Sequence, residues 1–71
     1  MRSVMIVDDD MSAQETLQKM LAKYPDYKIT QATGTLKEAK HILVNASTDI
    51  LFLDLELPDG NGMELIDLVQ E

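Results

Sequence analysis

The sequence has 71 residues, 45% of them hydrophobic, and 13 acidic against 6 basic side chains give a formal net charge of −7. A chain this short forms at most one small domain, which buries roughly 60% of the surface that its unfolded chain exposes. The absence of cysteine excludes disulfides and thiolate metal sites. No Lys/Arg cluster is present to bind nucleic acid directly, and no apolar stretch reaches the roughly 20 residues of a membrane span. Since the N-terminus does not resemble a signal peptide, we expect a cytoplasmic domain with no membrane partner.

Two strands and a helix are predicted in the first half of the chain. Residues 3 to 7 form an apolar run typical of a strand that is covered on both faces. Ser12 and Glu15 have the spacing of a capping box, and the apolar residues after them predict a helix over about residues 11 to 23. Residues 27 to 30 then suit a short strand at an edge of the sheet.

The second half repeats this alternation. Thr35 and Glu38 form another capping-box pattern, which opens an amphipathic helix that ends near Asn45. Residues 49 to 53 are the third predicted strand, and a third helix starts at Met63 after a turn rich in Pro and Gly. The order β-α-β-α-β-α predicts a single domain with a parallel sheet and right-handed crossovers. Three methionines fall on apolar faces and are predicted to fill the core: Met5, Met20 and Met63.

Two of the predicted strands end in carboxylates. The first leads into Asp8, Asp9 and Asp10, and the third leads into Asp54. Because neighbouring parallel strands deliver their carboxyl ends to the same crevice, we expect one acidic pocket. A hard divalent ion would relieve the repulsion between these charges, and oxygen ligands without His or Cys favour Mg²⁺ or Mn²⁺ over zinc. A carboxylate beside such an ion can attack a phosphoryl group and form an aspartyl-phosphate.

The segments Val4-Met5-Ile6-Val7-Asp8-Asp9-Asp10 and Ile50-Leu51-Phe52-Leu53-Asp54-Leu55-Glu56-Leu57-Pro58-Asp59-Gly60-Asn61-Gly62 resemble the receiver domains of two-component response regulators. The resemblance covers the whole chain and implies an α/β, flavodoxin-like (CheY-like) receiver fold, in which helices and a parallel sheet form three layers. The strand order of that fold is 2-1-3-4-5, so residues 1–71 are expected to be its N-terminal portion. The hydroxyl residue and the Lys that end the fourth and fifth strands of receivers are then expected outside the chain.

The same resemblance implies the roles of the acidic residues. Asp54 is the expected phosphoacceptor, and a sensor histidine kinase or a phosphotransfer protein supplies its phosphoryl group. Asp9 and Asp54 are expected to bind Mg²⁺ (or Mn²⁺) directly, Glu56 through its backbone carbonyl, and Asp8 through a metal-bound water. Such a domain transfers phosphate to itself at most, so it is not expected to be an enzyme. Its parent protein is expected to carry an output domain, transcriptional in kind.

Simpler interpretations exist for these residues. Asp8 to Asp10 could be a solvated run whose last member caps the first helix, and Asp54 could be an ordinary turn aspartate. The joint pattern disfavours both, and only Asp10 is assigned a structural role. A haloacid-dehalogenase-type phosphohydrolase also places its nucleophile after a strand, but it requires a second Asp where Glu56 stands, and Pro58 does not fit it either.

The alternative hypothesis is a half-receiver that serves as a non-catalytic interaction and dimerisation module. Without a fourth strand, residues 49 to 53 would form an apolar edge with unpaired N–H and C=O groups. A homodimer through this third strand is therefore expected. A parent reading frame that continued into a strand ending in Ser or Thr, and another ending in Lys-Pro, would favour the receiver hypothesis.

Overall fold

The computed structural model describes residues 1–69. Three parallel strands, β1 (Arg2–Val7), β2 (Tyr27–Thr33) and β3 (Ile50–Leu53), form one sheet in the order β2-β1-β3. The helices are α1 (Met11–Leu21), α2 (Leu36–Asn45) and α3 (Glu64–Val69), and the short strands β4 (Glu56–Leu57) and β5 (Gly60–Asn61) form an antiparallel hairpin before α3. The predicted order of strands and helices is confirmed, with the hairpin as an addition.

The core is built on both faces of β1. Its residues Val4 to Val7 are at most 1% exposed, and successive side chains point to opposite faces of the sheet. The face toward α2 and α3 packs into one apolar cluster: Met5, Val7, Leu36, Ala39, Leu57 and Leu65. On the other face, Ile6 lines a cleft together with Leu17 of α1 and Phe52 of β3. The domain therefore has three layers, with the sheet in the middle.

The starts of β1 and β3 are joined by Ser3 and Asp49. The Asp49 carboxylate accepts hydrogen bonds from the Ser3 N–H (2.8 Å) and the Ser3 hydroxyl (3.3 Å). The Asp49 N–H donates to the Ser3 carbonyl (3.1 Å) in return. Pairing then continues in register from Val4 with Ile50 to Val7 with Leu53. Asp49, predicted as the first strand residue, therefore belongs to the connection that precedes β3.

Strand β2 extends three residues beyond the predicted segment. Its register with β1 shifts at Thr30, because Val4 pairs with Ile29 whereas Met5 pairs with Gln31. This bulge interrupts the alternation of buried and exposed side chains, and Thr30, Gln31 and Ala32 are all exposed. An apolar pattern could not reveal the last part of the strand for that reason. Among the strands of residues 1–69, β2 lies at an edge of the sheet, as predicted.

The helix starts differ in how well the sequence predicted them. The Ser12–Glu15 capping box is wrong, because Asp10 is the N-cap of α1 and its carboxylate accepts from the Ser12 N–H at 2.9 Å. Asp10 thus has the structural role assigned to it. Thr35 caps α2 as predicted, accepting from the Glu38 N–H at 3.2 Å. Within the described residues, no helix combines the length and the apolar character that crossing a bilayer requires.

Two of the three methionines predicted in the core are exposed. Met5 is buried, but Met20 is 55% and Met63 is 49% exposed. On α1 the inward face continues from Leu17 to Leu21, four residues on, which turns Met20 outward. Met63 precedes the first residue of α3, and Leu65 takes the buried position.

Truncation of Leu65 to alanine is expected to destabilise the domain by about 2–5 kcal/mol, since this side chain is fully buried against the core and its removal leaves a cavity. Truncation of the half-exposed Met63 should cost no more than about 0.5 kcal/mol. Urea unfolding followed by circular dichroism measures both. Similar losses for the two variants would contradict the packing described for α3.

Candidate functional site

The register between β1 and β3 places Asp8 beside Asp54. Val7 pairs with Leu53, and the sheet's hydrogen bonding continues one residue further, because the Asp54 N–H donates to the Val7 carbonyl (2.8 Å). The Asp8 N–H likewise donates to the Thr33 carbonyl at the end of β2 (3.0 Å). Asp8, Asp9 and Asp54 each offer a carboxylate oxygen, and these oxygens all lie within 4.8 Å of one another. The structure thus brings together three of the acidic residues that the sequence singled out.

Local hydrogen bonds orient two of these carboxylates. The Asp8 Oδ1 accepts from the Asp10 N–H, and the Asp54 Oδ1 accepts from the Glu56 N–H, both at 3.0 Å. A carboxylate has two oxygens and about four acceptor positions, so one such bond fixes its direction without saturating it. Asp8 and Asp54 are half-buried, whereas Asp9 is exposed.

The three carboxylates fit a hard divalent ion. Mg²⁺ holds oxygen ligands at about 2.0–2.1 Å in octahedral geometry, which separates ligand oxygens by about 3 to 4 Å. Oxygens within 4.8 Å of one another reach that arrangement with small side-chain movements. Glu56, predicted to contribute its backbone carbonyl, lines the same cleft of about 660 Å³ as the three aspartates.

Gln14 supports the site from α1, although it is not among the site residues predicted from the sequence. Its side chain is only 5% exposed, and its Nε2 donates to the Asp8 carbonyl (2.7 Å) and to the Thr33 carbonyl (3.2 Å). The amide therefore links the ends of β1 and β2 directly beneath the acidic residues. A signal was present, because Gln14 stands three residues before Leu17 on the inward stripe of α1, where a polar residue requires buried partners.

Asp59 is a second functional residue that was not predicted from the sequence. Its Oδ1 accepts from the Leu36 N–H (2.7 Å) and its Oδ2 from the Lys37 N–H (2.9 Å), in the first turn of α2. The bond from the Leu36 N–H, and to a lesser extent that from Lys37, holds the pKa of Asp59 below its ordinary value of 3.8, and the charge of Lys40 acts in the same direction. Pro58-Asp59-Gly60 reads only as a turn, so no local pattern could indicate a partner 23 residues away.

Glycines allow close backbone approaches around the site. A Cβ on Gly62 would lie 2.5 Å from the Asp54 carbonyl oxygen, so only glycine fits there. A Cβ on Gly34, just before α2, would lie 3.3 Å from the Asp9 Cα. The loops that follow β2 and β3 therefore both pack directly against the acidic residues.

Comparison with known proteins identifies the family. Residues 4–71 match the model of the response regulator receiver domain. The chain is 31% identical over 71 residues to the sensory transduction protein LytT of Bacillus cereus, and 32% identical over 68 residues to the transcriptional regulatory protein DcuR of Escherichia coli K12. These matches cover 100% and 93% of this chain but 29% and 28% of the two relatives. The chain thus spans less than a third of their length.

Solved structures give the same result. The MaeR response regulator bound to beryllium trifluoride superposes with a TM-score of 0.86 at 32% identity, which covers 99% of this chain and 58% of that one. A mutant of MaeR bound to sulfate superposes with a TM-score of 0.83 at 30% identity. The chain belongs to the response regulator receiver domain family of two-component systems, and it has the predicted flavodoxin-like (CheY-like) fold.

The Asp59 carboxyl group is expected to titrate with a midpoint below 3.8, which ¹³C NMR of the side-chain carboxyl signal measures. Because the folded pKa is the lower one, the contribution to stability is complete above the unfolded value and is lost as the pH falls through the folded value. Asp59→Asn should therefore lose less stability than the wild type as the pH falls below 3.8. A midpoint at or above 3.8 would contradict the hydrogen bonding to α2.

Proposed function

We propose that this receiver accepts a phosphoryl group on Asp54 from a sensor histidine kinase or a phosphotransfer protein. Mg²⁺, or Mn²⁺ in its place, would be bound directly by Asp9 and Asp54, by the backbone carbonyl of Glu56, and by Asp8 through a water. The observation that carries the proposal is the approach of three carboxylate oxygens within 4.8 Å at the ends of adjacent parallel strands. The chain would act as a phosphoacceptor and not as an enzyme on other substrates.

The chemistry required of Asp54 is a nucleophilic displacement at phosphorus. A carboxylate oxygen attacks in line and forms the new P–O bond, while the P–N bond of the donor phosphohistidine breaks and its electron pair stays on the imidazole nitrogen. A bound Mg²⁺ would neutralise the phosphoryl oxygens during this transfer. The bond from the Glu56 N–H to Oδ1 orients the Asp54 carboxylate before the donor arrives.

The wider role is proposed from the relatives. Because the chain covers only 28% of DcuR, a transcriptional regulatory protein, we place it within a longer cytoplasmic protein in which phosphorylation regulates an output domain, transcriptional in kind. In that protein, the remaining strands of the receiver would supply the hydroxyl and Lys partners of the phosphoryl group. Because this segment is acidic, it is not expected to bind nucleic acid directly, and DNA contacts would belong to the output domain.

Titration with Mn²⁺ is expected to broaden the backbone amide signals of residues 8–9 and 54–56 first, because the ion is paramagnetic and the carboxylates converge there. Asp9→Asn should weaken binding about tenfold or more by removing a direct ligand. Asp67→Asn makes the same charge change at an exposed position of α3 and should leave the affinity unchanged. Broadening spread evenly over the acidic surface would refute the site.

The alternative function, a dimerisation module, is favoured by the exposure of β3. Among the described strands β3 has a neighbour on one side only, and its own residue Phe52 is 37% exposed. We propose that in the isolated 71-residue chain a second copy pairs with this edge about a two-fold axis. The two β3 strands would then run antiparallel within a six-stranded sheet. Such pairing leaves the acidic site intact. In the alternative hypothesis, pairing rather than phosphotransfer is the function of the chain.

The isolated chain is therefore expected to elute as a homodimer in size-exclusion chromatography with light scattering at micromolar concentration. Phe52→Lys should shift it to monomer, because a charge on an edge strand opposes strand pairing. Val44→Lys changes a 72% exposed residue of α2 and should leave the dimer intact. A folded monomer whose β3 amides resist hydrogen exchange would exclude this pairing.

A further inference from the structure

The loop after β3 contains Glu56, whose backbone carbonyl is a predicted metal ligand. It contains the β4–β5 hairpin, in which Glu56 pairs with Asn61 and Leu57 with Gly60, and Asp59 lies at the turn between the two strands. Strands of two residues give little stability by themselves. Buried Leu57 packs the hairpin onto the core, but the position of Glu56 also depends on what holds the turn.

The turn is held by α2. The Asp59 carboxylate accepts the Leu36 N–H at 2.7 Å and the Lys37 N–H at 2.9 Å, one donor for each oxygen. These donors are among the first N–H groups of the helix, which have no partner within it, and the helix dipole favours a negative charge at this end. Gly60 also approaches Leu36 closely, since a Cβ added there would lie 2.6 Å from the Leu36 Cδ2.

The segment that leads from β2 into α2 contacts the other half of the site. Gly34 packs against the backbone of Asp9, and the Thr33 carbonyl accepts hydrogen bonds from the Asp8 N–H and from Gln14. Residues 33 to 37 therefore connect the acidic residues after β1 to the loop after Asp54. The distance between the two halves depends on this segment, and Asp59 is the side chain that attaches the loop to it.

We propose that Asp59 is a positioning residue of the metal site. By binding the first turn of α2 through both carboxylate oxygens, it fixes the hairpin so that the Glu56 carbonyl faces the three aspartates. This inference rests on the proposed function, because it assigns Asp59 a role in binding the divalent ion. Asp59 does not touch the ion itself. It acts through the position of Glu56.

The test measures Mn²⁺ affinity by amide broadening in the 71-residue chain and in three variants, at about 0.5 M salt, where long-range charge effects are strongly screened. Asp59→Ala removes both acceptors and should weaken binding about tenfold. This is the smallest loss of metal affinity that is typical when a group supporting a metal ligand is removed. Asp59→Asn keeps one acceptor and should weaken binding about threefold. Asp67→Ala removes one negative charge elsewhere and should bind like the wild type.

Hydrogen exchange separates positioning from a general loss of stability. Exchange should accelerate at the amides of residues 56 to 61 and 36 to 37 in the Asp59 variants, while the amides of β1 stay protected. If Asp59→Ala does not fold, Asp59→Asn decides the question. Wild-type affinity in the folded Asp59 variants would overturn the proposal, and so would an equal loss in Asp67→Ala. A wild-type chain without localised broadening would instead refute the metal site, which is a separate result.

Discussion

The burial of β1 between two parallel neighbours is the constraint on which the rest of the structure depends. With Val4 to Val7 at most 1% exposed, both faces of this strand need cover, and α1 and the α2–α3 pair provide it from opposite sides. Parallel pairing on both edges also makes all three strands end at the same side of the sheet. The acidic residues meet there because the main chain places them, before any bond between side chains is formed.

Pairing in the sheet brings the strand ends together, but it does not determine the positions of the loops that follow them. Other contacts determine where these loops lie. Gln14 of α1 links the ends of β1 and β2, and the start of α2 packs against the loops that follow β1 and β3. The donors in these contacts are the side-chain amide of Gln14 and the backbone N–H groups of Leu36 and Lys37, which the first turn of α2 orients. An acidic surface is stable in such an arrangement because oriented amides offset part of the repulsion between carboxylates.

The sequence predicted those features that depend on local spacing. Apolar runs that end in acids located β1 and β3, and Thr35 with Glu38 located the start of α2. The features that were missed depend on which contacts form in the folded chain. The bulge at Thr30 hid the end of β2, the competing acceptor Asp10 displaced Ser12 as the N-cap, and the two partners of Asp59 lie 23 and 22 residues away. In each case, a contact formed only after folding decided between alternatives that the local pattern allowed equally.

The Ser3–Asp49 contact has a consequence for how the acidic end of the sheet is assembled. Asp8 is five positions after Ser3, and Asp54 is five positions after Asp49. Joining the strands at Ser3 and Asp49 therefore also places their two carboxylates side by side at the other end. Side chains alternate between faces, so adding or removing one residue in either strand would turn one carboxylate toward the opposite layer. The lengths of β1 and β3 therefore determine whether the two carboxylates can act on the same ion. A bulge like the one in β2 is tolerable at that edge of the sheet, where no acidic group has to be aligned, but not within β1 or β3.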